Sequence, residues 1–217
     1  MQNTELHPAT IIINVRIDDK DITRFSNLQI LLKWLEKFFP NKFDILIIEQ
    51  DIKPHLDTST LTGSFRHEFI YNPKLFNRGW GFNVAVKSFC PNSKVVVFFD
   101  TDILPATNLL SCVEKCLDQY DVASPYKNIY YSDENERDLI SKTLDINFPK
   151  DPARLSNPVT ITGGILAIKK DVFESVYGFE QYIGYGGEDR ALDVTLLNTV
   201  SPEKIYISDE TYIHLYH

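Results

Sequence analysis

The sequence predicts an α/β fold in which a central, mostly parallel, twisted sheet is flanked by helices on both faces. Two observations predict it. Short β-branched and aromatic runs recur along the chain, each of a length suited to a buried strand. Between most of them lie segments with helical spacing, and parallel neighbours need such a crossover where a hairpin needs only a turn.

Taken in order, Ile11–Val15 is a buried strand. In 22–39, Leu28, Leu31, Leu32, Leu35, Phe38 and Phe39 recur at helical spacing, and Pro40 stops the helix. Residues 43–49 (FDILIIE) form a second buried strand, followed by a polar loop from 50 to 64 and a short strand at 69–71. A helix spans 76–89 despite Gly79 and Gly81, and 94–99 (KVVVFF) is the clearest strand of the chain. Pro105 opens a helix reaching about Gln119, and 122–125 is strand-like. From 126 to 158 aromatic, acidic and proline residues mix without period, where a lid or acceptor loop would lie. Order returns with a strand at 165–168, a helix at 171–177, a glycine-rich turn at 184–187, a helix at 189–198 and a last short strand at 205–207.

A chain of 217 residues buries a core without metal or disulfide staples and reads as one domain. Its formal charge of −8 weighs against a broad nucleic-acid footprint. It does not exclude an anionic substrate, because a bound cation inverts the local field. No apolar run approaches the ~20 residues of a membrane span, and residues 1–10 lack the layout of a signal peptide. Cys90, Cys112 and Cys116 read as buried thiols in a reducing cytoplasm.

Three constellations carry chemistry. Asp100 and Asp102 follow the clearest strand at i and i+2, where the carboxyl ends of parallel strands border a ligand crevice. Paired acids repel unless a cation sits between them, and hard divalent cations suit such oxygen ligands. A solvated turn or a helix cap at Asp102 is the plainer reading. The second is the turn Gly184-Tyr185-Gly186-Gly187-Glu188-Asp189. Its glycines allow close backbone approach, and its acids lie at a helix start where the dipole favours their charge. An ionised carboxylate there can act as a general base; simple capping by Asp189 is the alternative. The third is His214 and His217, three apart. A straight strand would set them on opposite faces, and a helical turn would align them for a divalent metal.

Lesser signals are Arg16, Asp18 and Asp19 after the first strand, and Phe76-Asn77-Arg78. There is no P-loop lysine, no G-x-G-x-x-G and no serine in a nucleophile elbow.

The order of these motifs resembles the GT-A glycosyltransferases, nearest to the branch holding the β-1,4-galactosyltransferases and bacterial family 2 enzymes. Asp100-x-Asp102, Gly163-Gly164, then Gly184 to Asp189, then His214-x-x-His217 carry the resemblance, which runs from Ile11 to His217. The resemblance implies a GT-A (nucleotide-diphospho-sugar transferase) fold over 1–217, with a nucleotide-binding part to about 125 and an acceptor and catalytic part from about 126. It implies a donor site of Arg16, Asp18, Glu49, Phe76, Arg78, Asp100 and Asp102, and an acceptor or sugar site of Gly163, Gly164, Tyr185, Gly187 and Glu188. Asp102, His214 and His217 would hold Mn²⁺ or Mg²⁺, and Asp189 would be the catalytic base. Tyr185 stands where that branch commonly has tryptophan.

The implied activity is metal-dependent, inverting transfer from a nucleoside-diphosphate sugar, UDP-sugar favoured, to a carbohydrate or glycolipid acceptor in surface polysaccharide synthesis. The implied setting is cytoplasmic, at most peripheral at the membrane. Two alternatives are a sugar-phosphate nucleotidyltransferase and a non-catalytic nucleotide-sugar-binding module. The first wants a glycine-rich opening loop, and 14–18 contains no glycine. Against the second stand Asp102, Asp189 and both histidines.

Overall fold

The computed structural model describes residues 8–17, 22–157, 160–182 and 186–217. Its strands and helices follow in the order β1 (Ala9–Val15), α1 (Ile22–Phe38), β2 (Asp44–Asp51), β3 (Arg66–Tyr71), α2 (Arg78–Phe89), β4 (Val95–Phe99), β5 (Ile103–Leu104), α3 (Leu109–Asp118) and β6 (Val122–Ser124). Then come β7 (Asn128–Tyr131), α4 (Glu134–Thr143), β8 (Leu155–Ser156), β9 (Ile165–Lys169), α5 (Lys170–Ser175), α6 (Glu188–Thr199), β10 (Ile205–Ile207) and β11 (Thr211–His214).

Seven strands form the main sheet in the order β10-β6-β9-β4-β1-β2-β3. All neighbours are parallel except β9, which runs antiparallel to both β4 and β6. Alternation along each strand divides the core. Val95, Val97 and Phe99 of β4 join Leu28, Leu31 and Leu35 of α1 on one face. Val96 and Phe98 join Phe82 of α2, Phe173 of α5 and Leu192 and Leu196 of α6 on the other. Helices on both faces explain why these strands are apolar throughout rather than every second residue.

Several expectations are corrected. The segment expected to be aperiodic contains β7, α4 and β8. Helix α4 escapes hydrophobic patterning because Ile140 is its only buried residue; it is held instead by a capping box between Asp133 and Glu136. The helix expected from Pro105 begins at Leu109, because Ile103 and Leu104 first pair with β11. That pairing belongs to a second sheet, β5-β11-β7-β8. All three cysteines are buried and free, and burial pushes each thiol up. Among the described residues no helix is long and apolar enough to cross a membrane.

Candidate active site

The carboxyl ends of the parallel strands meet the amino end of β9 at one edge of the sheet. There the amide of Asp100, one residue past β4, donates to the carbonyl of Gly164, one residue before β9, at 2.9 Å. The turn 162–164 is built for this contact. Gly164 has φ +77°, and a Cβ on it would stand 2.6 Å from the Tyr126 hydroxyl, so only glycine fits. That buried hydroxyl donates to the Gly163 carbonyl and accepts from the Ile165 amide. The Thr162 hydroxyl donates to the Asp189 carbonyl at 2.5 Å, which couples the turn to the start of α6.

Asp189 is the second residue of α6, after Gly187 at φ +98° and Glu188. The cap position is Gly187, which has no side chain to cap with, so Asp189 does not serve as the cap. Its carboxylate faces Arg78, the first residue of α2. Arg78 donates through Nη1 to Asp189 and through Nε to Asp100 at 2.7 Å, with Glu188 at 3.9 Å. The guanidinium lies over the rings of Phe82 and Phe179, at 4.9 and 5.5 Å. Its Nη2 is buried and, among the described residues, without a partner. Burial opposes the charge of Arg78, but Asp100, Asp189 and Glu188 outweigh it and hold the side chain more firmly protonated than usual. Burial also pushes the Asp189 carboxyl up to about 6, with Arg78 pulling it down and Asp100 and Glu188 pushing it further up.

Placement of Arg78 depends on a buried amide network that the sequence reading missed. Asn14 donates to the Arg78 carbonyl, Gln50 to Asn14 and to the Asn77 carbonyl, and Asn72 to Gln50. Asn77 caps α2 by accepting from the Trp80 amide. The available signal was an amide residue next to the last position of each of two neighbouring strands, Asn14 in β1 and Gln50 in β2. Phe76 is half-buried just before the cap.

A few residues on from Asp100, the acid motif meets the end of the chain. The strand ends at Phe99, so both acids lie in a turn rather than at alternate strand positions, and Asp102 is too far from α3 to cap it. The Leu215 amide donates to the Asp102 carbonyl at 2.7 Å. The chain leaves β11 after His214, so the strand-or-helix choice drawn from sequence does not apply, and the two imidazoles stack at 5.1 Å. One ligand atom from each of Asp102, His214 and His217 lies within 4.8 Å of the other two. His214 donates from Nδ1 to the Leu215 carbonyl at 3.0 Å, which leaves Nε2 with a lone pair on the side of Asp102. One carboxylate and two imidazoles fit a divalent ion such as Mn²⁺. Burial and the charge of Asp100 push the Asp102 carboxyl up, against the pull of both histidines.

This end segment is tied down from several sides. Tyr131 of β7 lies against the His214 ring at 4.8 Å. The Ser132 amide donates to the His214 carbonyl, and the Ser132 hydroxyl accepts from Tyr216. Asn27 of α1 donates to the Tyr216 carbonyl and accepts from Arg137 of α4.

Other expected donor residues are engaged by the protein itself. Arg16 donates to the carbonyls of Gln50, Asn72 and Lys74, and pairs with Asp51 at 3.5 Å. Glu49 is fully buried and accepts from the amides of His55 and Leu56 and from the His67 ring. Burial raises its carboxyl, but these bonds outweigh it and the net effect is downward. Both residues brace the loops beyond β1, β2 and β3. Asp18 and Tyr185 lie outside the described residues. A cleft of about 540 Å³ at the amino ends of β1 and β2, lined by Phe39, Phe43, Asp44, Arg66 and Phe89, contains none of these groups.

A family model described as the N-terminal domain of galactosyltransferase matches residues 148–217, the stretch bearing the glycine turns, Asp189 and both histidines. Among solved structures, the catalytic domain of Drosophila β1,4-galactosyltransferase 7 with xylobiose is 16% identical, with a TM-score of 0.51 over 96% of this chain and 71% of that one. A mutant of that enzyme, solved with manganese, UDP-Gal and xylobiose, matches equally. A Desulfovibrio desulfuricans protein named as a nucleotide-diphospho-sugar transferase is 14% identical, with a TM-score of 0.52 over 95% and 81%. A Bacillus anthracis protein named as a glucose-1-phosphate thymidylyltransferase is 13% identical, with a TM-score of 0.53 over 94% and 87%. No curated protein sequence matches. The fold is the GT-A fold of nucleotide-diphospho-sugar transferases, as the motif order implies.

Proposed function

We propose that the chain is a metal-dependent, inverting glycosyltransferase acting on a nucleoside-diphosphate sugar, with a UDP-sugar as the favoured donor. One observation carries this reading. A Mn²⁺-suited cluster of Asp102, His214 and His217 stands at the same sheet edge as Asp189, whose carboxyl burial pushes up to about 6. The family match over 148–217 covers three of those four residues and supports the reading.

Asp189 takes the proton of an acceptor hydroxyl, whose oxygen then bonds to the anomeric carbon as the bond to the nucleoside diphosphate breaks. A single base opposite the leaving group gives inversion. Asp102, His214 and His217 would hold a divalent ion, whose Lewis acidity would neutralise the negative charge on the leaving group. Gly163 and Gly164 bring backbone close to the reacting centre, and Glu188 lies beside the base to bond sugar or acceptor. Asp100 belongs to the donor side, with Phe76 and the loops braced by Arg16 and Glu49 around the nucleotide. The donor part runs to about 125 and the acceptor part from about 126, with a carbohydrate or glycolipid as acceptor and surface polysaccharide as the product.

The test is a panel of nucleotide sugars with Mn²⁺, scored for binding and for release of nucleoside diphosphate. Binding of a UDP-sugar that disappears on chelation is expected, and no binding to any donor would sink the reading. Pyrophosphate release from a sugar phosphate and a nucleoside triphosphate would instead mark a nucleotidyltransferase, the chemistry named for the Bacillus anthracis neighbour. Asp189→Asn should retain donor binding and lose about 10²–10⁴ in transfer rate.

A further inference from the structure

Asp189 is buried among groups that oppose its charge. Asp100 faces it from the end of β4, Glu188 precedes it on its own helix, and the Tyr126 hydroxyl lies near from the end of β6. Among the described residues, its ion-pair partner is Arg78 of α2. A protonated carboxyl cannot accept a proton, so the base depends on what this cation does.

Arg78 is built to hold a fixed pose. Its backbone carbonyl is bonded to Asn14, its plane lies over Phe82 and Phe179, and two separate arms reach two acids on different elements. A planar fork sets direction as well as charge, which an ammonium cannot do. Its buried Nη2 has no partner among the described residues. A buried donor left unpaired costs about 1–3 kcal/mol, so this arginine is not arranged for stability alone.

We propose that Arg78 is the positioning residue of the base, holding the Asp189 carboxylate ionised and aimed through a fork shared with Asp100. This rests on the reading of Asp189 as the base. Donor side and acceptor side of the site then share one cation, with Nη2 left for an oxygen of the bound substrates.

The test is a ¹³C-carboxyl NMR titration of the full chain, with the Asp189 signal assigned by its loss in Asp189→Asn. Arg78→Gln should raise the Asp189 midpoint by about 1–3 pH units, the effect of removing an adjacent opposite charge. Arg78→Lys keeps the charge without the fork and should raise it less. An Arg78→Gln midpoint equal to wild type, in a protein with a native amide spectrum, overturns the proposal. Should that variant not fold, an Arg78→Lys midpoint at or below the wild-type value does so. A raised midpoint in a protein that binds no nucleotide sugar keeps the Arg78 link and removes the transferase reading. Donor binding with an unmoved midpoint does the reverse.

Discussion

The amide of Leu215 donates to the carbonyl of Asp102 at 2.7 Å, and this backbone bond seats two histidines beside an acid more than a hundred positions earlier. Three ligand atoms are thereby gathered from two segments that share no secondary-structure element.

If that cluster is a metal site, the chain binds Mn²⁺ in the absence of any nucleotide. Asp102→Ala, His214→Ala and His217→Ala should each weaken binding by about 10-fold or more, since even indirect partners of a ligand contribute 10–100-fold. Electron paramagnetic resonance of free Mn²⁺ measures this directly. Unchanged affinity in all three variants would dissolve the site.

Asn27 is buried and its side chain bonds Tyr216 and Arg137 rather than a member of the cluster, and so holds the segment that carries both histidines. Asn27→Ala should cost about 1–3 kcal/mol of unfolding free energy through unpaired groups. It should also lower Mn²⁺ affinity by about 10–100-fold. A loss of stability with wild-type affinity would show that the end segment is placed without α1.

The buried charge at Asp189 gives stability a definite pH dependence. Its carboxyl moves from an ordinary 3.8 to about 6 on folding. Between these values the folded state binds more protons, so stability falls as pH rises through that window, by at most about 3 kcal/mol. Asp189→Asn lacks this loss. Urea unfolding at pH 4.5 and 7.5 should show wild type losing about 1–3 kcal/mol relative to the variant, and parallel behaviour would contradict the raised value.

The turn before β9 has no room for a side chain. Gly164→Ala forces a left-handed φ on alanine and drives its Cβ toward the Tyr126 hydroxyl, with an expected cost of about 1–3 kcal/mol. Tyr126→Phe removes the hydroxyl that donates to the Gly163 carbonyl, which the Ile165 amide still serves, at a cost of about 0.5–1.5 kcal/mol. The two act on one turn, so their effects should not add in a double-mutant cycle. Strict additivity in denaturant midpoints would show that the hydroxyl and the glycine are independent.

Strands such as β4 were legible because burial on both faces writes an all-apolar run into the chain. The same property concealed the direction of β9, since such a run looks identical in either sense. Two-residue strands such as β5 and β8 are too short to carry a period, and with them the second sheet was invisible. Asp100, Asp102 and Asp189 could be read as reactive types in suggestive places. Arg78 could be read only as part of a three-residue motif, because its position at the centre of three acids is made by contacts distant in sequence. Tyr126 and Asn27 carried no signal at all; each matters through a single atom's reach.

The reversed strand has a consequence for how such a chain can change. β6 and β9 are adjacent and antiparallel, with Val122 opposite Ile168 and Ala123 opposite Ala167. Residues 125–164 therefore leave and re-enter the sheet at neighbouring points, as a long excursion rooted on one pair of rungs. Growth or shrinkage of that excursion between β7 and β8 would leave the register of β1, β2 and β4 untouched, and with it the ledge where Arg78 and Asp100 stand, provided that Tyr126 and the turn 162–164 are kept.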